Sequence, residues 1–147
     1  MKIFTFVAEL MKMIETLIEY ENGGRIDVYQ ITPRFDETIG NLEYEMVYAS
    51  LRGTPFWGRC PDFCVDGVWY EHEGYDVNKD LSNPQKRADT FSLMIKHGVK
   101  QADRLIVEDC GVGRSYAKRT IYNRVHFENQ CITEVYIRTP FGLEHLY

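Results

Sequence analysis

The sequence predicts an α/β domain built on a mixed sheet, with elements in the order αβαββαβαββ. Three observations predict this class. Apolar residues recur first with helical and then with strand spacing along the chain. Glycine and proline separate these segments. Aromatic residues make up 14% of the chain, and they favour strands and a dense core.

Composition sets the broad class. The 147 residues are 44% hydrophobic and 27% charged, as in an ordinary globular protein. This composition excludes a disordered chain and a collagen-like repeat. The length is enough for one domain, residues 1–147, with a single sizeable core.

The first part of the chain predicts two helices on either side of one strand. Residues 4–21 place apolar side chains on one helical stripe, which an Asn-Gly-Gly run ends. Residues 25–31 alternate as a strand does. Residues 39–52 predict the second helix, closed by a Gly-Thr-Pro run.

The second part predicts two hairpins separated by a helix, a strand and a helix. Residues 62–66 and 68–75 form the first hairpin through Asp66-Gly67, the strongest turn signal in the chain. Pro84 suits the first turn of a helix. The remaining predicted elements are a helix at 84–101, a strand at 104–108, a helix at 115–129, and a closing hairpin at 132–138 and 143–146.

The sequence also predicts where the protein works. No apolar run approaches the ~20 residues of a membrane span, so no membrane partner is expected. The most apolar stretch, residues 3–18, lacks the features of a signal peptide. The four cysteines match neither a disulfide scaffold nor a zinc site and predict buried thiols in the cytoplasm. They are Cys60, Cys64, Cys110 and Cys131.

Charge is spread unevenly along the chain. The net charge is −5, and the first 50 residues hold four basic and nine acidic side chains. An anionic partner is therefore expected on the second part. Residues 110–127 contain no acid and four basic side chains, which predicts either a nucleic-acid-binding helix face or an ordinary solvated face. These are Arg114, Lys118, Arg119 and Arg124.

Three acidic residues flank the first hairpin. Glu71 and Glu73 are two apart on a strand and so share a face, whereas His72 between them points to the other face. A two-residue turn at Asp66-Gly67 pairs residues whose numbers sum to about 133, which places Asp62 opposite Glu71. Converging carboxylates repel one another unless a cation such as Mg²⁺ or Mn²⁺ lies between them. The alternative is a solvated strand end with three ordinary acids.

These residues carry a resemblance to a family. Pro61-Asp62 followed by Glu71-x-Glu73 resembles the PD-(D/E)XK nuclease superfamily, whose hallmark is Pro-Asp on one strand and Asp/Glu-x-Lys on the next. The likeness is strongest to the C-terminal tRNA nuclease domains of contact-dependent growth-inhibition toxins. The supporting motifs are Glu43-Tyr44, Pro61-Asp62-Phe63, Asp66-Gly67, Tyr70-Glu71, Gly98 to Asp103, and Leu105-Ile106-Val107. The chain also looks like small stand-alone Bacteroides-type proteins with a Cys-Pro-Asp motif.

The resemblance implies a restriction-endonuclease-like sheet flanked by helices, with residues 36–138 as its core and 1–32 as an extension. It implies that Asp62 and Glu71 hold Mg²⁺ or Mn²⁺, with Glu73 as ligand or catalytic residue. Three further residues are implied near the site, one as a ligand and two as catalytic groups. They are Glu43, Lys100 and Gln101.

Glu73 stands where the family has its lysine, so two functions stay open. One is a metal-dependent nuclease that hydrolyses RNA, with tRNA as one candidate, or DNA. The other is a catalytically degenerate member of the fold that binds nucleic acid or protein. An immunity-like partner of a basic toxin is a third class. The apolar stripe of residues 4–21 packs on the core or offers a face for a homodimer or another protein.

Overall fold

The computed structural model describes residues 28–30, 42–65 and 67–147, and for residues 28–30 and 43 it describes the backbone alone. The predicted helix at 4–21, with its proposed dimer or partner face, lies outside the described residues. The strands are β1 (Val28–Gln30), β2 (Phe63–Val65), β3 (Val68–Glu73), β4 (Arg104–Glu108), β5 (Glu134–Thr139) and β6 (Gly142–His145). The helices are α1 (Leu42–Tyr48), which continues as a short 3-10 turn (Ala49–Leu51), α2 (Pro84–Gly98) and α3 (Arg114–His126).

The strands form one mixed sheet in which spatial order follows chain order, from β1 to β6. The pairs β3–β4 and β4–β5 are parallel, and α2 and α3 make the two crossovers. The other pairs are antiparallel. The predicted α/β class with a mixed, helix-flanked sheet is therefore confirmed.

The register of the first hairpin agrees with the sequence prediction. Phe63 lies opposite Tyr70 and Val65 opposite Val68, so paired residue numbers sum to 133. A two-residue connection fixes this register because each strand continues directly from the turn. Asp66 itself lies outside the described residues, and Gly67 has a φ of 76°, the left-handed conformation that glycine adopts at little cost.

Three helices end earlier than the sequence predicts. The second predicted helix ends at Tyr48 as an α-helix and tightens into the 3-10 turn. After α2, Lys100 N–H bonds to His97 O at 3.3 Å, three residues back, which tightens the last turn. After α3, Asn129 takes a φ of 53° and turns the chain away.

The start of α2 is capped by a side chain. Pro84 occupies the first turn, and the Asn83 Oδ1 accepts a hydrogen bond from Lys86 N at 2.9 Å. We therefore expect Asn83→Ala to lower the free energy of unfolding by about 1 kcal/mol, because an N–H of the first turn loses its acceptor. Urea denaturation measures this change. Asn83→Asp should restore most of the loss, and equal stability of Asn83→Ala and the parent would contradict the prediction.

Two hydrophobic clusters hold the sheet, and both use the face that carries Glu71. The larger cluster joins α2 and α3 to β4 and β5. Its members on these elements include Phe91, Ile95, Leu105, Val107, Ala117, Ile121, Val135 and Ile137. The smaller cluster joins α1 to the first hairpin through Tyr44, Tyr48, Leu51, Cys64 and Trp69. The site therefore lies where the two clusters meet.

The cysteine prediction is confirmed in part. Cys64 and Cys110 are buried thiols, whereas Cys60 is half-buried and Cys131 is exposed, so full burial was wrongly predicted for these last two residues. Within the described ranges, no helix has both the length and the apolar character needed to cross a membrane.

Candidate functional site

Two tyrosines of α1 fix the loop that leads into Asp62. The hydroxyl of Tyr44 donates to the backbone oxygen of Arg59 and accepts from Gly58 N at 2.9 Å. The hydroxyl of Tyr48 donates to Pro61 O at 3.3 Å. Both tyrosine rings are buried. Their hydroxyl groups bond to backbone atoms of the loop, so α1 fixes the path of the loop's main chain.

Gln101 and β3 complete the positioning of Asp62. Gln101 Oε1 accepts a hydrogen bond from Cys60 N at 3.3 Å, which ties the turn after α2 to the same loop. Asp62 Oδ2 accepts from His72 N at 3.1 Å. The Asp62 carboxylate is thereby fixed against β3, and Gln101 supports it from a distance.

Glu71 is the most unusual of the three acids because it is only 8% exposed. Among the described residues, its Oε2 has no hydrogen-bond partner. Burial raises the pKa of Glu71 to about 9, and the neighbouring charges of Asp62 and Glu73 act in the same direction. In the environment that the described residues provide, the Glu71 carboxyl is therefore protonated at neutral pH.

Asp62 and Glu73 share this environment. Burial raises the pKa of Asp62, although the His72 N–H and the His72 charge oppose the shift. Burial, followed by the Asp62 charge, raises the pKa of Glu73 to about 7. The charge of Asp62 therefore contributes to the raised pKa of both Glu71 and Glu73. Across the described ranges, however, no three acid, histidine or cysteine side chains already form a metal-holding group.

A glycine lets α2 approach the site closely. A Cβ added at Gly98 would lie 3.1 Å from Glu73 Cγ and 2.9 Å from Leu105 Cδ2. Residue 98 faces the parallel strands β3 and β4 beside Glu73. Any side chain at this position would therefore overlap with Leu105 or with Glu73.

A cavity of about 220 Å³ opens beside Glu73. Lys79, Thr90 and His97 are among the residues that line it. Of the three carboxylates, Glu73 is the one that borders this space, and it therefore faces any small group that enters from solvent.

The other two predicted site residues are placed less closely. Lys100 lies in the turn after α2 and is exposed, and its side chain makes no hydrogen bond or ion pair with a described residue. Glu43 lies on α1, and its side chain is outside what the structure describes. Neither residue is brought to the carboxylates by an observed contact.

The four basic residues on α3 divide into two pairs. Arg114 Nε lies 2.8 Å from Glu144 and its Nη2 lies 3.4 Å from Asp109. Arg124 pairs with Glu128 at 3.6 Å and donates to a backbone oxygen of α2 at 3.2 Å. These two arginines hold the fold, whereas Lys118 and Arg119 are exposed.

The other face of β3 carries a charged group that the sequence analysis missed. His72 Nε2 lies 2.9 Å from Glu108 Oε1, and Arg138 Nη1 donates to the same oxygen at 3.0 Å. The orientation predicted for His72 is confirmed. Its partners could have been found from the parallel register, which aligns His72 with β4 and Glu108 with Arg138 on β5.

No protein-family model, curated protein or solved structure matches this chain. The carboxylates and the surfaces around them therefore carry the functional inference.

Proposed function

We propose that this protein is a metal-dependent nuclease that cleaves phosphodiester bonds in RNA or DNA. The observation that carries the proposal is the buried carboxyl of Glu71, whose Oε2 has no partner among the described residues. Such an oxygen is costly to bury without a hydrogen bond or a cation. Among the described residues, its neighbours Asp62 and Glu73 add negative charge, and Asp62 also hydrogen-bonds to the Glu71 carboxyl.

The donor set suits a hard divalent cation. Asp62, Glu71 and Glu73 offer only oxygen ligands, which Mg²⁺ and Mn²⁺ prefer. Glu43 is a fourth candidate by its motif alone. Because burial raises the pKa of Glu71 to about 9, binding of the ion requires this carboxyl to release its proton. When bound, such an ion acts as a Lewis acid towards a phosphate and makes water more acidic.

The chain's own residues have separate tasks in this proposal. The His72 N–H holds Asp62 in one orientation, while Gln101 and the α1 tyrosines fix the loop before it. Glu73 borders the cavity and can accept a proton from a water molecule there. It would thus take over part of the work of the family's lysine.

A degenerate nuclease-fold protein that only binds its partner is the second candidate. The exposed position of Lys100 favours it, because no lysine of the described residues contacts the three carboxylates. In this case the fold and its nucleic-acid or protein surface remain, but productive metal binding is lost.

Calorimetric titration with Mn²⁺ tests the proposal. We expect micromolar binding by the parent and its loss in Asp62→Asn and Glu71→Gln, which keep the shape of each side chain while removing its charge. Glu128→Gln, which changes an exposed acid just after the end of α3, should bind as the parent does. Circular dichroism checks that each variant is folded.

The outcomes separate the two candidates. Binding by the parent that both variants lose supports the nuclease, and cleavage of tRNA or DNA should then need Mn²⁺ and Asp62. Absence of binding in the parent, with binding or cleavage in Glu73→Lys, would identify the degenerate member. Undiminished binding in both variants would place the ion elsewhere and contradict the assignment.

A further inference from the structure

The exposed face of α3 carries aromatic and basic side chains side by side. Lys118, Tyr122 and His126 follow one another at intervals of four residues and so share a face of the helix. Arg119 lies beside them, and Phe127 comes directly after the last turn. We call these five residues the α3 patch.

Large aromatic surfaces are open to solvent in this patch. The side chain of Tyr122 is 51% exposed and that of Phe127 is 74% exposed. The ring of Tyr122 lies 4.1 Å from that of His126 at an angle of 35°, and 6.3 Å from that of Phe127 at 68°. The three rings therefore form a continuous aromatic surface rather than isolated exposed residues.

The patch is positively charged, and acidic side chains of the described residues do not neutralise it. Lys118 and Arg119 make no ion pair with a described residue, and Arg119 instead lies over the ring of Tyr116 at 5.9 Å. The nearest acid in sequence, Glu128, is paired with Arg124. A chain with a net charge of −5 thus presents a local basic surface.

We propose that the α3 patch binds single-stranded nucleic acid, with unpaired bases stacked on Tyr122 and Phe127 and backbone phosphates on Lys118 and Arg119. Cleavage of the bound strand rests on the proposed function. The patch adds the substrate class, which is single-stranded nucleic acid. Aromatic side chains stack on bases of any sequence, and cations follow the backbone. A duplex hides the faces of its bases, so the patch selects unpaired nucleotides.

Fluorescence anisotropy with labelled oligonucleotides of about 12 nucleotides tests the inference. The full chain is titrated in the presence of a metal chelator, so binding is measured without metal or cleavage. We expect the parent to bind single strands more tightly than the matching duplex. Tyr122→Ala with Phe127→Ala should weaken single-strand binding by about 30-fold or more and leave its salt dependence unchanged.

The basic residues give a different signature. Lys118→Ala with Arg119→Ala should reduce the slope of log affinity against log salt by about 1.4, since each phosphate contact on a single strand contributes about 0.7. Phe141→Ala is the aromatic control, because that ring is 99% exposed at the β5–β6 turn. Lys86→Ala, whose charge is paired with Asp80, is the control for net charge. Both controls should bind as the parent does.

Three results would overturn the inference: no binding of single strands by the parent, equal binding of single strands and duplex, or parent-like binding by the folded aromatic double variant. The proposed function fails separately. If the parent does not bind Mn²⁺ but the patch variants behave as expected, the proposed nuclease function is contradicted and the single-strand-binding surface is supported. If the parent shows metal-dependent cleavage but the patch variants bind single strands as the parent does, the nuclease function is supported and the inference about the α3 patch is contradicted.

Discussion

Replacing Glu71 with glutamine should raise the free energy of unfolding at pH 8 and change it little at pH 4. In the unfolded chain this carboxyl has a pKa near 4.5, and in the folded protein burial raises the pKa to about 9. The folded state therefore holds a proton that the unfolded state releases. Stability from this group is fully present below pH 4.5 and is lost as the pH rises towards 9. Glutamine is neutral throughout, so the variant avoids the loss.

The expected gain at pH 8 is about 2–5 kcal/mol, because each unit between the two pKa values corresponds to about 1.4 kcal/mol. Glu73 adds a smaller effect of the same sign between 4.5 and about 7, which remains in the variant. Urea denaturation of both proteins at pH 4, 6 and 8 measures the difference. Glu128→Gln is the control, and the loss of its exposed ion pair should cost at most about 1 kcal/mol.

The pH profile decides the result. A Glu71→Gln variant that is less stable than the parent at pH 8, with a difference that shrinks towards pH 4, would mean that the carboxyl is ionised and paired in the folded protein. The shift in its pKa would then be wrong in direction.

Gly98→Ala should lower the free energy of unfolding by about 1 kcal/mol. The new Cβ would lie 2.9 Å from Leu105 Cδ2 and 3.1 Å from Glu73 Cγ. Leu105 is fully buried between two strands and α2, so it cannot move aside without disturbing the core. Overpacking of this kind costs about 1–3 kcal/mol, which exceeds the gain of about 1 kcal/mol from replacing a helical glycine with alanine.

Chemical denaturation measures this change, and a second glycine provides the matched control. A Cβ at Gly74 would lie 3.5 Å from Glu108 Cγ, an ordinary contact distance. Gly74→Ala should therefore leave stability unchanged or raise it by a few tenths of a kcal/mol, about the entropy effect on the unfolded chain. Equal stability of Gly98→Ala and the parent would show that α2 can shift away from β3.

The local features of this fold could be predicted from the sequence, because they depend on residues close together in the chain. The Asp66-Gly67 pair in the sequence predicted the pairing of Phe63 with Tyr70, and Pro84 marked the start of α2. Alternation along β3 predicted the shared face of Glu71 and Glu73. Helix ends were predicted less well, since tightened turns and the conformation of Asn129 depend on local hydrogen bonds that periodicity does not show.

Contacts between distant elements could not be predicted in this way. The hydrogen bond from Cys60 to Gln101 joins residues 41 apart, and only the packing of α2 against the first hairpin brings them together. The acid-free stretch around α3 suggested four available cations. Acids from other segments neutralise Arg114 and Arg124, so the available cations are Lys118 and Arg119.

The order of strands in the sheet has a consequence for how the chain folds. Because each strand pairs with its neighbour in the chain, the β2–β3 and β5–β6 hairpins close the two shortest loops and can form first. The parallel pairs β3–β4 and β4–β5 can form only after α2 and α3 have formed the connections between these strands. We therefore expect Glu71 to be hydrated in the early β2–β3 hairpin and to lose this water when α1 and α2 dock. At alkaline pH, the late docking step should slow while hairpin formation keeps its rate.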